Sequence, residues 1–424
     1  MFGLIDCNNF FVSCERVFNP ALRNKPVIVF SNNDGCAVAL SNEAKALGIK
    51  RGAPFFKIKG LCRLHDIETI SGNHKLYGDM SSRVMAIIGS IIPDIEIYSI
   101  DEAFLTIEDD TDKNLHILGT DIVRRVRRAT GIPTSLGLAH TRTLAKVASR
   151  FAKKYPAYHG CCIIDTEEKR RKALSMTDAH DVWGIGRRLS RRLADYGITT
   201  ALQLADLTKD NIVQIMNISG LKTWNELNDI SCIDIDSEDT PQKQMMCFRS
   251  FGKAITEFDD LSTAVAAFAN IIGRKLRERH LSAASLSVFV HTDSFRPDLP
   301  QYYNSAHRTP PEPTADTMAI TQYAVDALRS VFRRGFGYKR AGLMIDELVD
   351  GDHIQQSLFS NPADRDKRNR LMKVVDSINR CSLSHDTVHT AAYSPLDNFT
   401  RRENPSRLYS TRFSDIIRIN CNNG

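Results

Sequence analysis

Apolar residues along this chain recur at two different spacings, which predicts a mixture of strands and helices. Residues 2–5 form a short apolar run typical of a buried strand, and this run ends on Asp6. A second apolar strand is predicted at 27–30, with a polar turn before a partner strand at 36–40. Between 77 and 92 the apolar residues follow a helical period and stop before a proline. The pattern therefore indicates an α+β fold.

Asp101 and Glu102 are two adjacent acids inside an otherwise apolar segment. Apolar residues precede them at a spacing of two, and β-branched and aromatic residues follow at 104–107, so we predict a hairpin with the acids near its tip. At a bend both carboxylates can converge on one point, where they repel unless a cation lies between them. Asp6 supplies a candidate third acid. When the Asp101-Glu102 pair is considered alone, a solvated turn is its commoner interpretation. When Asp6 is considered alone, a helix N-cap is its commoner interpretation.

The segments after this hairpin are again predicted as helices and strands, and a Gly-x-Gly motif follows them. A helix is predicted at 114–130, a strand at 134–139, and a further helix that Thr141 can cap. A different unit begins around 165, and Gly184-Ile185-Gly186 lies in it between two predicted helices. Such a turn exposes backbone N–H groups to a phosphate, so it favours contact with a DNA backbone over an ordinary helical turn.

The last third of the chain predicts an acidic linker followed by a second α+β unit. Residues 233–243 are acidic and polar, and strands are then predicted at 248–253, 285–292 and 337–347, with helices at 261–280 and 315–333. Small polar residues with Arg or Lys on the open face of such a sheet would suit a phosphate backbone, although a solvated face is nearly as common. Beyond about residue 350 the pattern weakens, and we expect a basic stretch that folds only with a partner.

Composition narrows the class of protein. The 424 residues are long enough for three or four domains, and the formal charge of +6 mildly favours a polyanionic partner. The ten cysteines include no Cys-x-x-Cys pair, which is typical of reduced cytosolic thiols. The N-terminus lacks the features of a secretory signal, and no apolar run approaches the ~20 residues of a membrane span. We therefore expect a soluble intracellular protein without a membrane partner.

Five blocks in order along the chain resemble the Y-family DNA polymerases, and among them the polymerases of the bacterial polymerase V type. The blocks are Asn-Asn-Asp-Gly-Cys at 32–36, Glu-Ala-Lys-Ala-Leu-Gly at 43–48, Ser-Ile-Asp-Glu-Ala-Phe at 99–104, Val-Trp-Gly-Ile-Gly-Arg-Arg at 182–188 and Arg-Ser-Phe-Gly at 249–252. The resemblance implies an α+β multidomain fold shaped as a right hand, with palm, fingers, thumb, little finger and a C-terminal tail. The implied boundaries are 1–10 and 73–164 for the palm, 11–72 for the fingers, 165–232 for a thumb with a helix-hairpin-helix, 233–243 for a linker, 244–350 for the little finger and 351–424 for a tail with clamp-binding and partner-binding regions.

The resemblance also implies the catalytic residues. Asp6, Asp101 and Glu102 match the carboxylates that hold two magnesium ions in this family, with the Cys7 carbonyl as a further ligand. Deoxynucleoside triphosphates are the implied substrates. Three hard oxygen donors suit magnesium, which in phosphoryl transfer activates the nucleophile and stabilises the charge that develops.

Further positions match substrate contacts of the family. Phe11 lies where the family places an aromatic steric gate against ribonucleotides, a position that is Tyr in many relatives. Lys45 and Lys153 match basic positions that bind the triphosphate. Asn42 departs from a Tyr used by many relatives, which puts its triphosphate role in doubt. A lysine in place of arginine predicts looser orientation of the triphosphate.

Contacts with DNA and with protein partners complete the expectation. The expected DNA-binding residues are Gly184, Gly186, Arg187, Arg188, Arg249 and Lys253. Gln355, Leu358 and Phe359 resemble the peptide by which bacterial polymerases bind the sliding clamp. The resemblance further implies primer–template DNA, a sliding clamp, a UmuD′ dimer and the RecA filament as partners. It also implies a place in the bacterial cytoplasm, with nucleoid association during repair.

The expected function is a template-directed DNA polymerase that performs error-prone translesion synthesis in the SOS response, by two-metal-ion nucleotidyl transfer without proofreading. One alternative is a non-catalytic DNA-binding scaffold of polymerase fold that recruits repair partners, although the intact acids argue against it. Another is a helix-hairpin-helix lyase or nuclease, for which no lysine beside the motif can be assigned as the nucleophile.

Overall fold

The structure is a computed structural model that describes residues 1–107, 112–234, 242–354, 362–381, 387–395 and 399–417. The strands in chain order are β1 (Phe2–Cys7), β2 (Val27–Phe30), β3 (Ala37–Leu40), β4 (Glu68–Ser71), β5 (Ile95–Ile97), β6 (Glu102–Thr106), β7 (Thr134–Ala139), β8 (Cys161–Ile164), β9 (Met245–Ile255), β10 (Leu281–His291), β11 (Tyr303–Arg308) and β12 (Tyr338–Asp350). The helices are α1 (Phe10–Phe18), α2 (Asn42–Ala46), α3 (Phe55–Leu64), α4 (His74–Gly89), α5 (Asp112–Thr130), α6 (Arg142–Lys154), α7 (Glu167–Ser175), α8 (Arg187–Asp195), α9 (Ala201–Ala205), α10 (Lys209–Leu227), α11 (Phe258–Glu278), α12 (Thr317–Val331) and α13 (Pro362–Cys381).

The chain divides into two units. The first comprises Met1–Ser31, Gly35–Ser237 and Asn404–Gly424, and the second comprises Asn32–Asp34 and Glu238–Glu403. The main division falls inside the predicted linker at 233–243, of which 235–241 lie outside the described residues. The finer division of the first unit into palm, fingers and thumb stays a prediction.

A five-stranded sheet organises the first unit. Its order is β5-β6-β1-β7-β8, and all pairs are antiparallel except β7 with β8. Alternation along β1 and β6 sends Ile5 and Leu105 toward a core with α1, α4 and α5, whereas Leu4 and Phe104 face a core with α6. A Cβ at Gly137 of β7 would lie 2.0 Å from the backbone nitrogen of Ser149 in α6, so a glycine is required for this close packing. The sheet thus carries helices on both faces.

A smaller sheet in the same unit has the order β3-β2-β4. β2 pairs antiparallel with β3, as the sequence predicts, and parallel with β4. Helix α2 follows this hairpin and ends just before Gly48, which has φ +80°. The predicted short helix and its left-handed glycine end are therefore confirmed.

The second unit is built on a four-stranded antiparallel sheet of order β11-β10-β12-β9. Apolar residues of β10 and β12 pack on α11 and α12, which cover one face of the sheet. The three strands and two helices predicted here are present; the strands are longer than predicted, whereas α12 is shorter than its predicted range. β11 was not predicted, because its residues are mostly polar and give no apolar period.

The prediction for the C-terminal region is wrong for the residues that the structure describes. A stretch that folds only with a partner was expected beyond residue 350, yet 362–381 form helix α13 and residues 404–417 pack within the first unit. Helix α13 has long charged side chains on most of its surface, so its apolar period is weak in the sequence.

None of the nine described cysteines forms a disulfide. Across the described ranges, no helix combines the length and the hydropathy needed to cross a membrane.

Candidate active site

Asp6 and Glu102 lie opposite each other on neighbouring strands. The antiparallel register of β1 and β6 pairs Asp6 with Glu102. Directly paired residues project from the same face of a sheet with Cβ atoms about 4.5–5.5 Å apart. Asp101 precedes β6 in the hairpin turn, and its carbonyl accepts a hydrogen bond from the Cys7 backbone N–H at 2.9 Å. The fold therefore brings Asp6 to the same end of the sheet as two adjacent acids that lie far from it in the chain.

Each of the three carboxylates has its own partner. Lys153 Nζ lies 2.7 Å from Asp6 Oδ1, and Lys146 Nζ lies 3.0 Å from Glu102 Oε2. Ser99 donates its hydroxyl hydrogen to Asp101 Oδ1 at 2.7 Å. The two lysines are seven residues apart on α6, so they project from the same face of that helix. Helix α6 thus supplies two positive charges to the acidic end of the sheet.

Lys146 is held by aromatic rings as well as by Glu102. Its Nζ lies 4.2 Å from the Tyr98 ring centroid and 5.1 Å from that of Trp183. The Trp183 indole N–H donates to the Tyr98 hydroxyl at 3.2 Å. Cation–π contacts of this kind contribute ~0.5–2 kcal/mol each and hold the ammonium in place. Because Trp183 directly precedes the Gly-x-Gly motif, these contacts link that motif to the acidic end of the sheet.

The electrostatics around Asp6 show why a cation would be favourable there. Burial is the largest cause that raises the pKa of the Asp6 carboxyl above its usual value. The ammonium of Lys153 opposes that rise, while the carboxylates of Glu102 and Asp101 add to it. This mutual repulsion of the three acids is relieved by a bound cation.

The donor set fits magnesium. Three carboxylates and the Cys7 carbonyl are all hard oxygen donors, the kind that magnesium prefers. In the part of the chain that the structure describes, a different group brings three candidate ligand atoms within 4.8 Å of one another. This group consists of Asp178, His180 and Asp181. Asp181 is already paired with Arg150 at 2.5 Å. The three predicted acids are not a group that meets that spacing, and each of them is bonded to its own partner.

Phe11 is the less buried of two adjacent phenylalanines. Phe10 is buried in the core, whereas Phe11 is half-buried. The Phe11 ring stacks on Tyr77 with centroids 4.3 Å apart and an interplanar angle of 13°, and the His74 ring meets it edge-on at 5.9 Å. One face of Phe11 is therefore supported by protein, as a rigid sugar-contacting ring requires.

Basic side chains lie near Asp6. The pKa of Lys45 is lowered, first by burial and then by the positive charges of Lys153 and Arg51, while Asp6 opposes that shift. Three cations that repel one another in this way favour a polyanionic ligand such as a triphosphate. Arg51 was missed in the sequence, where only its place after the Gly48 turn distinguishes it from other surface arginines.

Asn9 connects two of the predicted triphosphate residues. Lys45 Nζ donates to Asn9 Oδ1 at 2.5 Å, and Asn9 Nδ2 donates to Asn42 Oδ1 at 3.0 Å. Asn9 has φ +48°, a left-handed conformation that asparagine tolerates well, and it immediately precedes α1. The sequence offered no signal for Asn9 beyond its position three residues after Asp6.

The Gly-x-Gly turn has the predicted form. Gly184 has φ +89°, and a Cβ there would lie 2.8 Å from the Thr223 hydroxyl oxygen. Gly186 is the residue before α8. Arg187 and Arg188 begin that helix and are exposed, so charged side chains accompany the turn on the protein surface.

The open face of the second sheet carries aromatic residues beside the small polar and basic residues that were expected there. Phe248 and Phe289 face each other across Gly342, where a Cβ would lie 2.3 Å from Phe289 Cζ. Tyr303 and His291 extend this aromatic group, with ring centroids 4.3 Å apart. Ser250, Ser287 and Arg340 lie on this same face, as expected. The aromatic group was not expected, because strand period shows which residues share a face but not which faces of neighbouring strands coincide.

The predicted contacts Arg249 and Lys253 both lie on β9. Arg249 shares its side of the strand with the buried Cys247 and Phe251, and it donates to the Phe248 carbonyl at 2.8 Å. Lys253 is exposed. The clamp-binding residues predicted at Gln355, Leu358 and Phe359 lie outside the described residues.

Comparison with known proteins identifies the family. Residues 5–150 match the impB/mucB/samB family, and residues 242–358 match the impB/mucB/samB family C-terminal domain. Protein UmuC of Salmonella typhimurium is 36% identical over 422 residues, which cover 99% of this chain and 100% of that protein. The chain belongs to the impB/mucB/samB family. Protein ImpB of Salmonella typhimurium is 37% identical over 98% of this chain and 99% of its own length.

A solved structure agrees with this family. A Y-family DNA polymerase chimera, Dbh-Dpo4(243-245)-Dbh, has a TM-score of 0.66 at 20% identity, covering 82% of this chain and 99% of its own. The fold class and the UmuC-type Y-family membership expected from the sequence are therefore confirmed. The enzyme class, a DNA-directed DNA polymerase of the translesion type, is confirmed with the family.

Proposed function

We propose that this family member adds deoxynucleotides in error-prone translesion synthesis during the SOS response, by two-metal-ion nucleotidyl transfer without proofreading. The observation that carries the mechanism is the register that pairs Asp6 with Glu102, with Asp101 in the adjoining turn. The non-catalytic scaffold is disfavoured, because a scaffold has no need for three acids at one end of a buried sheet.

Asp6, Asp101, Glu102 and the Cys7 carbonyl would hold the two magnesium ions. When bound, such ions lower the pKa of a primer 3′-hydroxyl and stabilise charge on the transferring phosphoryl group. The surrounding residues orient these ligands: Ser99 holds Asp101, and Lys146 holds Glu102. Lys153 pairs with Asp6 in the structure, and in this proposal it contacts the triphosphate when Asp6 binds a cation.

We assign binding of the triphosphate to Lys45, Lys153 and Arg51. Asn9 orients Lys45 through its side-chain oxygen, and Asn42 in turn holds Asn9. Asn42 therefore acts through Asn9 in this proposal, which accounts for the absence of the Tyr used by many relatives. Mutual repulsion of the cations is relieved when phosphate oxygens bind between them.

Lys45→Ala is expected to raise KM for the incoming deoxynucleotide by about 10- to 100-fold, the range for removing a hydrogen bond to a charged group. Primer–template affinity should not change, because Lys45 lies beside Asp6 rather than on the Gly-x-Gly turn. Steady-state single-nucleotide insertion measures the effect. Lys172→Ala, which removes an exposed lysine of α7, is the matched control. An unchanged KM for Lys45→Ala would remove it from the triphosphate site.

We assign the Gly184–Gly186 turn, with Arg187 and Arg188, to the DNA backbone. Exposed backbone N–H groups and two arginines bind phosphates without distinguishing base sequence. In the second unit the exposed Lys253 suits such a contact better than Arg249, whose guanidinium bonds to its own strand.

The double variant Arg187→Ala/Arg188→Ala is expected to weaken primer–template binding equally for different sequences. The slope of log affinity against log salt should fall by about one for each phosphate that the variant no longer binds. Fluorescence anisotropy at several salt concentrations measures both effects. Arg124→Ala/Arg125→Ala is the control, since both arginines pair with Asp121 on α5. An unchanged slope in the first variant would contradict the assignment.

One primer-extension experiment tests the function as a whole. The full chain is supplied with magnesium, deoxynucleotides, a template with an abasic site and the sliding clamp, with and without a UmuD′ dimer and RecA filament, the partners that we propose from the family. Extension past the lesion supports the proposal. DNA binding without extension under every condition favours the scaffold, and cleavage of the template favours a lyase or nuclease.

A further inference from the structure

The C-terminal segment 404–417 is attached to the smaller sheet of the first unit. The Ser71 backbone N–H donates to the Asn404 carbonyl at 2.8 Å, and the Asn404 N–H donates to the Ser71 hydroxyl at 3.1 Å. Asn404 Nδ2 also donates to the Thr69 hydroxyl at 2.9 Å. The segment therefore continues the hydrogen bonding of β4 at its end.

The same segment then contacts the start of α4. Asn73 caps that helix by accepting from the Leu76 N–H at 3.2 Å. Its Nδ2 donates to the Ser406 hydroxyl at 2.9 Å and to the Arg407 carbonyl at 3.0 Å. A little further on, Tyr409 stacks on Phe18 with centroids 5.1 Å apart and an interplanar angle of 6°. Polar and aromatic contacts together hold the segment against α1 and α4.

Ser406 reaches a buried acid beneath the proposed steric gate. Its hydroxyl donates to Glu15 Oε1 at 2.9 Å, and the Tyr77 hydroxyl donates to the same oxygen at 2.7 Å. Glu15 is 1% exposed, and burial raises the pKa of its carboxyl while the two hydroxyl donors oppose that rise. The Tyr77 ring is the surface on which Phe11 stacks. A continuous series of contacts thus runs from the C-terminal segment to Phe11.

We propose that Ser406 is a positioning residue for sugar discrimination, because it fixes Glu15, which fixes Tyr77, on which Phe11 rests. This inference rests on the proposed function, with Phe11 as the steric gate. Two donors on one carboxylate oxygen restrict where the Tyr77 hydroxyl can lie, so the plane that supports Phe11 is restricted as well. A gate that excludes one hydroxyl group depends on such support, since small displacements of a reacting or contacting group have large effects on selectivity.

The test compares sugar selectivity among full-length variants. The ratio of kcat/KM for a deoxynucleotide to kcat/KM for the matching ribonucleotide is measured opposite one template base. We expect Ser406→Ala and Tyr77→Phe each to lower this ratio by about three- to tenfold, the range that corresponds to removing one hydrogen bond. Ser406→Thr keeps a hydroxyl and should keep the ratio. Ser414→Ala, an exposed serine of the same segment, should match the unchanged chain.

The outcomes separate this inference from the proposals beneath it. If the unchanged chain adds no nucleotide at all, the proposed function is contradicted. If Phe11→Ala leaves the ratio of the two kcat/KM values unchanged, the assignment of Phe11 as the steric gate is contradicted. If Phe11→Ala lowers the ratio while Ser406→Ala and Tyr77→Phe leave it unchanged, only the positioning role of Ser406 is overturned. Thermal unfolding is followed alongside, since a purely structural defect lowers Tm and slows both nucleotides equally. If Ser406→Ala does not fold, Tyr77→Phe tests the same carboxylate from its other side.

Discussion

Asp101→Asn is expected to reduce nucleotide addition by about 10³-fold or more while leaving primer–template affinity unchanged. Asparagine has the same size, and its side-chain oxygen can still accept the hydrogen bond from Ser99, so the hairpin turn should keep its form. What it lacks is the negative charge at the proposed metal site. Metal ions contribute several kcal/mol of charge stabilisation in such reactions, and about 1.4 kcal/mol corresponds to a tenfold change in rate. Single-turnover insertion of one nucleotide, with DNA binding measured separately, gives both quantities.

The second acidic group provides a sharp control for that experiment. Asp178, His180 and Asp181 lie closer together than the three proposed ligands, so proximity alone would favour them as the metal site. Asp178→Asn should nevertheless leave insertion unchanged, because Asp181 is neutralised by Arg150 and the group lies outside the β1–β6 pair. Normal turnover by Asp101→Asn, or abolished turnover in Asp178→Asn, would contradict the assignment of the metal site to Asp6, Asp101 and Glu102.

Phe11→Ala is expected to increase ribonucleotide incorporation by about 10- to 100-fold relative to deoxynucleotide incorporation, the range over which an apolar pocket rejects an added hydroxyl. The phenyl ring stacks on Tyr77 and so cannot retreat into the protein. Replacing it with a methyl group leaves room for a 2′-hydroxyl. Competitive insertion of both nucleotides opposite one template base measures the ratio directly.

The matched control is Phe56→Ala, which removes a phenylalanine that is 77% exposed on α3. Its sugar selectivity should equal that of the unchanged chain. An unchanged selectivity in Phe11→Ala would mean that another side chain excludes the ribose hydroxyl. His74 would then be the next candidate, since its ring lies edge-on to Phe11.

Sequence pattern predicted the elements around the site well, because each depends on local residues. The β2–β3 hairpin, the Thr141 cap of α6 and the left-handed Gly48 all follow from the preferences of a few adjacent residues. The tail was predicted poorly for the same reason. Helix α13 is rich in charged residues, and the 404–417 segment is held by contacts with residues more than 300 positions earlier.

The residues of the candidate site were named from the sequence, but their contacts with one another and with neighbouring side chains were not. The resemblance to the family pointed to Asp6, Asp101 and Glu102 one by one. It did not indicate that Lys146 and Lys153 of α6 would each bond to one of these acids. Nor did it indicate Asn9 or Arg51, whose proposed roles follow from neighbours that are distant in the chain.

The sequence by itself determined the family and the α+β fold class and pointed to three candidate acids, because motif residues and local period are properties of contiguous segments. Only the tertiary structure decided which side chains hold those acids and which ring supports Phe11. It also showed that Ser406 bonds to the buried Glu15. The physical reason is that a strand or helix period states which way a side chain points relative to its own element. What that side chain meets depends on how the elements pack, and packing is decided by the whole chain at once.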